Sequence, residues 1–282
     1  MKTMKLLALG AALAISGCAA VDAPPVAPVA MAQMPTSISA ADGREIPLTI
    51  VPANETRGVL IVSHGGNSDP ASMEPLLRQL AARGFTAIMP THTDSVKMPA
   101  DRQTDLRGAF PTRIADLQAA NALAKQRFPG VPVALLGYSY GSLSAIVGGG
   151  AFESAMPGRI DGAKAVVMFS TPGPIPGLST MPGAYSAVDV PTLLVTGTKD
   201  VVPGFVPDPA LHLTYFDGLP AGDHTAFVVK DATHGFFKEE AGFDRVRPLV
   251  IDFLASRVLG DAAAGRRFDA VASSELMEVR RR

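Results

Sequence analysis

The chain has 282 residues, of which 47% are hydrophobic and 18% charged, so it can bury a core and is not disordered throughout. Its 25 Lys and Arg against 26 Asp and Glu give a net charge of −1, which leaves no basic field to hold a nucleic-acid backbone. The single cysteine excludes an internal disulfide and a metal site built from several cysteines.

The first 17 residues have the layout of a secretory signal peptide. Lys2 and Lys5 precede an apolar run over 6–15, which at roughly ten residues is too short to cross a bilayer as a helix. Small residues then lead to Cys18, and the stretch 13–18 resembles the cleavage box of bacterial lipoproteins. That resemblance implies that Cys18 is lipidated and becomes the mature N-terminus. An ordinary signal peptide with an incidental cysteine is the alternative.

Residues 19–35 contain four prolines and one charge, a composition that predicts an extended tether. A poorly ordered terminus without a role would have the same composition. The predicted organisation is therefore a signal peptide over 1–17, a lipidated cysteine and tether over 18–35, and one domain over 36–282. The predicted location is the cell envelope, at the outer membrane or the periplasmic face in a Gram-negative host, with the membrane as a partner through the lipid anchor.

From residue 36 onward, predicted strands and helices alternate. Segments 37–41 and 44–51 flank Asp42-Gly43, a dipeptide that predicts an antiparallel hairpin. Short apolar runs then predict strands over Val59–Ser63, Phe85–Met89, Val133–Leu136, Ala165–Phe169, Thr192–Val195 and Thr225–Val229. Helical spacing of apolar residues predicts helices over Ser72–Ala82, Ile114–Phe128, Ser142–Val147 and Arg245–Val258. The last residues, which end in three arginines, are expected to form a frayed tail.

This alternation predicts the α/β fold class: a mostly parallel central sheet with helices on both faces and the hairpin as antiparallel strands at one edge. Ligands of such sheets bind beyond the carboxyl ends of the strands. Residues that directly follow a predicted strand are therefore the first candidates for a functional site.

The segment Gly137-Tyr138-Ser139-Tyr140-Gly141 has the pattern G-x-S-x-G and stands between a predicted strand and a predicted helix. In such a turn the serine hydroxyl is raised above the sheet, and the glycines keep the turn clear of its neighbours. The pattern alone is weak, and a glycine-rich turn with a solvated serine is the alternative. With its strand and helix, it predicts Ser139 as a nucleophile.

A serine hydroxyl needs a base to take its proton. His234 follows a predicted strand, as do His64 and His92, so position alone leaves three histidines. The Ser139 turn resembles the nucleophile turn of α/β-hydrolases, which order their triad serine, acid, histidine along the chain; this resemblance implies a histidine after Ser139 and favours His234. His212 lies in a proline-rich connection with no strand to aim it and is not a candidate.

The acid is expected after the strand Thr192–Val195, where Asp200 can orient an imidazole and stabilise its cation; a helix cap is the alternative. Two N–H groups must also stabilise the oxyanion, and the first is that of Tyr140, directly after the serine. The loop over 63–67 offers Gly66 as the second donor and Asn67 as the fallback. A plain glycine turn is the alternative for this loop.

Together these motifs resemble those of α/β-hydrolases, and most of all those of dienelactone hydrolase-like proteins, bacterial polyester hydrolases and platelet-activating-factor acetylhydrolases. The resemblance covers roughly residues 42–260 and includes Ser63-His64-Gly65-Gly66, Pro90-Thr91-His92-Thr93, Arg113 with Asp116-Leu117, the Ser139 turn, Gly197-Thr198-Lys199-Asp200 and Ala232-Thr233-His234. It implies an α/β-hydrolase fold and a serine carboxylic ester hydrolase that acts on a small-molecule ester without a cofactor or metal. It also implies that His92 lines the pocket, although a structural role is equally compatible, and Asn67 is the second substrate-binding candidate.

The sequence departs from these families at informative positions. Dienelactone hydrolases use a cysteine where this chain has Ser139, and polyester hydrolases use a tryptophan and a disulfide that this chain lacks, so neither activity is expected. The proline-rich segment 171–187 is either a lid over the site or a long surface loop. The rival function is a non-catalytic envelope lipoprotein that keeps the hydrolase scaffold for binding.

Overall fold

The computed structural model describes residues 34–235 and 241–282. The predicted signal peptide and Cys18 lie outside the described residues, as does nearly all of the predicted tether. No helix between residue 34 and the end of the chain, 236–240 set aside, is long and apolar enough to cross a membrane.

Within the described residues, nine strands form one sheet in the order β1-β2-β4-β3-β5-β6-β7-β8-β9. The strands are β1 (Ser37–Ser39), β2 (Glu45–Val51), β3 (Gly58–Ser63), β4 (Phe85–Pro90), β5 (Val133–Tyr138), β6 (Ala163–Phe169), β7 (Thr192–Lys199), β8 (His224–Thr233) and β9 (Met277–Arg281). The six strands from β4 to β8 in this order are parallel, and antiparallel strands stand at both edges. The predicted mostly parallel sheet with a hairpin at one edge is confirmed.

The helices are α1 (Glu74–Ala81), α2 (Leu106–Arg127), α3 (Tyr140–Gly148), α4 (Thr214–Gly218), α5 (Ala241–Leu259) and α6 (Ala262–Asp269). They lie on both faces of the sheet, as predicted, and the sheet separates two apolar cores. Side chains of α1, α5 and α6 pack into one core, and those of α2, α3 and α4 pack into the other. Because both faces are covered, the central strands are apolar throughout rather than alternating.

Helices α4 and α6 were not predicted, and both α2 and the C-terminal tail differ from the prediction. Helix α2 begins at Leu106 rather than at Ile114, because the Asp105 side chain caps it and accepts a hydrogen bond from the Gly108 N–H at 2.7 Å. The prediction of a frayed C-terminal tail is wrong, because these residues form β9. This strand pairs with β8 in antiparallel register and closes that edge of the sheet. Its alternation of charged and apolar residues suits a strand with one face in solvent.

The segment 171–187 contains turns but no helix or strand. Tyr185 in this segment is buried, and its ring lies 5.1 Å from that of Phe152 and 6.0 Å from that of Tyr215, measured between centroids. This part of the segment is therefore packed on the domain.

Candidate active site

Ser139 stands in a sharp turn between β5 and α3, with φ 52° and ψ −121°. The flanking glycines are required by close backbone contacts. A Cβ on Gly141 would lie 2.0 Å from the main-chain oxygen of Ser63, and one on Gly137 would lie 2.2 Å from the oxygen of Gly141. The φ of Ser139 is one that L-residues rarely adopt, which fits the stored strain common at functional sites.

Three predicted residues meet at the carboxyl edge of the sheet. Ser139 follows β5, Asp200 follows β7 and His234 follows β8. The Ser139 Oγ lies 3.0 Å from His234 Nε2, and His234 Nδ1 lies 2.7 Å from Asp200 Oδ1. These distances form a continuous hydrogen-bonded chain in which the hydroxyl donates to one ring nitrogen and the other donates to the carboxylate.

Asp200 is fully buried, and burial alone would raise the pKa of its carboxyl. Hydrogen bonds from His212 and His234 outweigh burial and hold the pKa of Asp200 well below its ordinary value. The Thr196 hydroxyl donates to Oδ2 at 2.7 Å. Asp200 is therefore an ionised acceptor that His234 faces at neutral pH.

His212, which the sequence analysis passed over, also lies against this carboxylate. Its Nε2 is 2.9 Å from Asp200 Oδ1 and 2.9 Å from the Asp200 main-chain oxygen, and its ring stacks on that of His234 at 5.8 Å. A 3-10 turn over Pro209–Leu213 positions it, and Asp208 caps this turn by accepting from the Ala210 N–H at 2.9 Å. An Asp-Pro pair at a helical start was the signal that could have placed this turn.

The predicted oxyanion donors are neighbours. A Cβ built on Gly66 would lie 3.3 Å from the Cβ of Tyr140, so the two main chains run side by side. The Tyr140 N–H belongs to the first residue of α3 and has no partner within the helix. Asn67 was the alternative to Gly66 as the second donor, but its N–H already donates to Asp94 Oδ2 at 2.9 Å. Gly66 and Tyr140 remain the pair that the loop geometry favours.

The buried side chain of Arg113 holds the loop over 63–67 in place. Arg113 on α2 is fully buried and forms a two-pronged ion pair with Asp94, at 2.9 and 2.8 Å. Its remaining N–H groups donate to the main-chain oxygens of His64 at 2.7 Å and Gly65 at 3.1 Å and to Ser63 Oγ at 3.1 Å. Asp94 in turn accepts from Asn67, so one ion pair fixes both ends of the loop.

His92 does not line a pocket, because its side chain has 0% exposure. Its Nδ1 lies 2.8 Å from Asp116 Oδ2, and its Nε2 lies 2.9 Å from Ser63 Oγ. Its N–H donates to His64 Nε2 at 3.1 Å. Burial holds the pKa of both histidines well below the ordinary value, so both rings are neutral. Of the two roles considered for His92, the structural role agrees with this burial and the pocket-lining role does not.

Two tyrosines flank the turn. The Tyr140 hydroxyl donates to the Leu106 main-chain oxygen at 2.7 Å, and the Arg113 guanidinium lies 5.0 Å from the centre of its ring. The Tyr138 hydroxyl donates to the main-chain oxygen of His234 at 3.1 Å. These contacts fix the residues on either side of Ser139 and the loop that carries His234.

Asp200, His212 and His234 bring one ligand-type atom each within 4.8 Å of one another, a set that metals also use. Both ring nitrogens of His212 face oxygen atoms of Asp200 and Thr171, and both ring nitrogens of His234 face oxygen atoms of Asp200 and Ser139. A metal would have to displace these contacts. The arrangement of this set fits a hydrogen-bonded chain.

Comparison with known proteins bears on the fold. No family model matches the chain, and no curated protein matches it. Among solved structures, two crystal forms of the esterase Pf2001 from Pyrococcus furiosus are similar to it, with TM-scores of 0.63 and 0.62. Each is 16% identical to the chain and covers 79% of it, and the match extends over 91% and 90% of the esterase. The chain has an α/β-hydrolase fold, as its mostly parallel sheet and helices also show.

Proposed function

We propose that this α/β-hydrolase-fold protein is a serine carboxylic ester hydrolase that acts through an acyl-enzyme on a small or medium ester. The observation that carries the proposal is the hydrogen-bonded chain from Ser139 through His234 to Asp200 at the carboxyl edge of the sheet. The similarity to a protein described as an esterase supports the choice of ester as substrate class. A binding module would have no need of all three side chains in this geometry.

The first half of the reaction forms the acyl-enzyme. Ser139 Oγ attacks the ester carbonyl carbon while His234 Nε2 takes the hydroxyl proton. The carbonyl oxygen becomes an oxyanion, which the N–H groups of Tyr140 and Gly66 stabilise. The intermediate then expels the alcohol, whose oxygen takes the proton from His234.

The second half repeats these steps with water. His234 Nε2 takes a proton from a water molecule, whose oxygen attacks the acyl carbon, and the oxyanion forms again between the same two donors. Its collapse releases the carboxylic acid and returns the proton to Ser139. Asp200 stays ionised throughout and stabilises the imidazolium that exists in each half.

The test is covalent labelling of the serine with a fluorophosphonate, read by mass spectrometry of the labelled peptide, together with turnover of p-nitrophenyl esters of increasing acyl length. We expect the label on Ser139, and we expect Ser139→Ala to lose labelling and about 10⁶ of the turnover while folding normally. Ser186→Ala is the matched control, because it removes an exposed serine hydroxyl that bonds only to the neighbouring Gly183 main chain, and we expect it to keep both labelling and turnover. A folded wild-type chain that is neither labelled nor active favours the rival, a scaffold kept for binding.

We further propose that Cys18 is lipidated and that the enzyme acts at the cell envelope. The support is the sequence alone: a basic start, a short apolar run and a sole cysteine ahead of a proline-rich tether. A lipid anchor with a tether would hold the catalytic domain near a membrane.

A further inference from the structure

We propose that His212 is a positioning residue for the catalytic acid: as an imidazolium it keeps Asp200 ionised and holds Oδ1 toward His234. The proposal rests on the proposed function, since it concerns the acid of that mechanism. It adds a fourth member, drawn from a 3-10 turn rather than from a strand end, to the three residues that the sequence predicts.

The charge of His212 follows from what its two ring nitrogens face. Nδ1 lies against the main-chain oxygen of Thr171, and Nε2 lies against the Asp200 carboxylate and main-chain oxygen. Carbonyl and carboxylate oxygens only accept, so a neutral ring would turn one lone pair toward another inside the protein. Two protons on the ring satisfy both contacts, and burial makes an unsatisfied contact costly.

The carboxylate needs this cation. Asp200 has no exposed surface, and an isolated buried carboxylate is strongly unfavourable. Its Oδ1 is shared by the two imidazoles, at 2.7 Å from His234 and 2.9 Å from His212, while Thr196 occupies Oδ2. With Oδ2 fixed by a hydroxyl and Oδ1 by His212, the carboxylate cannot turn away from His234.

Few charges surround this cluster. Among the residues that the structure describes, the titratable groups facing the His212 ring are Asp200 and the stacked His234. Lys199, the neighbouring cation on β7, is exposed and pairs with Asp231 at 2.9 Å. The Asp200 carboxylate is thus the group that decides the charge of His212, and its hydrogen bond raises the pKa of His212 against the opposing effect of burial.

A pH dependence follows. As the pH rises through the raised pKa of His212, the ring loses a proton, one of its nitrogens faces an oxygen without a proton between them, and Asp200 loses its cation. The acid then loses its fixed orientation, so we expect acylation of Ser139 to fall on the alkaline side. Without His212, a serine, histidine and acid would give an acylation rate that falls at acid pH and stays constant at alkaline pH.

The first experiment measures the charge directly, on the full chain labelled with ¹⁵N-histidine. His212 is assigned as the signal that is missing in His212→Asn. We expect both of its ring nitrogens to keep their protons above pH 6.5, and Asp200→Asn to move this titration to lower pH. Since the chain has five histidines, the same assignment follows without that variant: His212 gives the signal that is removed by none of His64→Asn, His92→Asn, His224→Asn and His234→Asn. A neutral His212 ring at pH 6.5 in the wild type, or a titration that Asp200→Asn leaves in place, would overturn the proposal even if the His212 variant failed to fold.

The second experiment measures the rate of fluorophosphonate labelling of Ser139 between pH 5 and 10. We expect the wild-type rate to fall at alkaline pH, and His212→Asn to be about 10-fold to 100-fold slower near neutral pH with no alkaline fall, the range for removing a group that orients a functional ligand. His224→Asn is the matched control: this buried histidine bonds to Thr192 at the other end of β8 and should keep the wild-type profile.

The outcomes separate the two proposals. An alkaline limb that persists in His212→Asn, or a variant as fast as the wild type, overturns the positioning role and leaves ester hydrolysis standing. A folded wild type that is never labelled overturns the proposed function and the positioning role of His212 with it. The ¹⁵N titration then still decides whether His212 is the buried cation.

Discussion

Arg113 and His64 are joined inside the protein by a hydrogen bond of 2.7 Å from Arg113 Nη1 to the His64 main-chain oxygen. Through it, a fully buried side chain on α2 holds the loop that places Gly66 beside Tyr140. The ion pair of Arg113 with Asp94 therefore connects the buried interior with the loop of the site.

Removing this cation should cost stability. Arg113→Gln leaves Asp94 buried without its partner, and we expect the free energy of unfolding to fall by about 3–5 kcal/mol. Urea denaturation measures it. Arg78→Gln, which breaks an exposed pair with Glu74 on α1, should cost less than about 1 kcal/mol. Equal losses in the two variants would contradict the buried role of Arg113.

The next prediction concerns Asp200, the proposed catalytic acid. Asp200→Asn keeps the shape of the side chain but presents an amide to His234, which favours the wrong tautomer, and we expect turnover of p-nitrophenyl acetate to fall by about 10⁴. Asp208→Asn and Asp217→Asn, on the turn and helix that follow, should have small effects. Greater sensitivity at either control would place the acid elsewhere and leave the fold assignment intact.

The oxyanion loop allows a double-variant test. In Gly66→Ala the added Cβ would lie 2.8 Å from Leu106 Cδ2, so the loop must shift, and we expect kcat/KM to fall by about tenfold, less than the loss of a whole donor. Adding Leu106→Ala removes the obstructing group and should restore most of the rate. Leu106→Ala alone is the control and should stay near wild type. Failure of the second change to help would mean that the contact with Tyr140 Cβ, at 3.3 Å, decides the effect.

Strand ends were readable from the sequence, whereas tertiary contacts were not. Ser139, Asp200 and His234 each directly follow a strand whose apolar run the sequence shows, and a parallel sheet brings such positions to one edge. His212 and Arg113 could not be placed in this way. Their positions depend on partners distant in sequence, the Thr171 carbonyl and Asp94, which no local periodicity reveals.

The edges of the fold show the same distinction. The hairpin of β1 and β2 could be predicted because its turn residues are local. Strand β9 was not predicted because its five residues are mostly charged, and only pairing with β8 makes them a strand. His92 was assigned to a pocket by resemblance, and its burial with Asp116 is a property of packing alone.

The neutral histidines predict how stability depends on pH. Burial lowers the pKa of His64 and His92 below the ordinary value of 6.5, so below pH 6.5 the unfolded chain binds protons that the folded chain does not. The imidazolium of His212 has the opposite effect above pH 6.5, where the folded chain keeps a proton that the unfolded chain loses. The free energy of unfolding should therefore fall as the pH drops from 6.5 to 5.5, by up to about 1.4 kcal/mol per pH unit for each proton. Urea denaturation across this range should show a smaller slope for His64→Asn. A wild-type stability that stays constant over it would contradict the assignment of neutral rings.

The last prediction concerns the anchor. A single acyl chain binds membranes only marginally, at about 0.8 kcal/mol per buried methylene, whereas two or more chains anchor stably. The resemblance to bacterial lipoproteins implies at least a diacylglyceryl group on Cys18, so the wild-type chain should fractionate with membranes. Cys18→Ala should block lipidation and remove the chain from that fraction, and the mass of the N-terminal peptide measures the modification.

A chain that begins at residue 34 is the control for activity, because Ser139, Asp200, His234 and every described strand lie after that residue. It should hydrolyse small soluble esters as fast as the anchored protein, since no group that moves a proton or binds the oxyanion is removed. It should also stay out of the membrane fraction, as Cys18→Ala does. An unmodified Cys18 in the wild type, or a wild-type chain found wholly in the soluble fraction, would refute the anchor and leave the hydrolase alone.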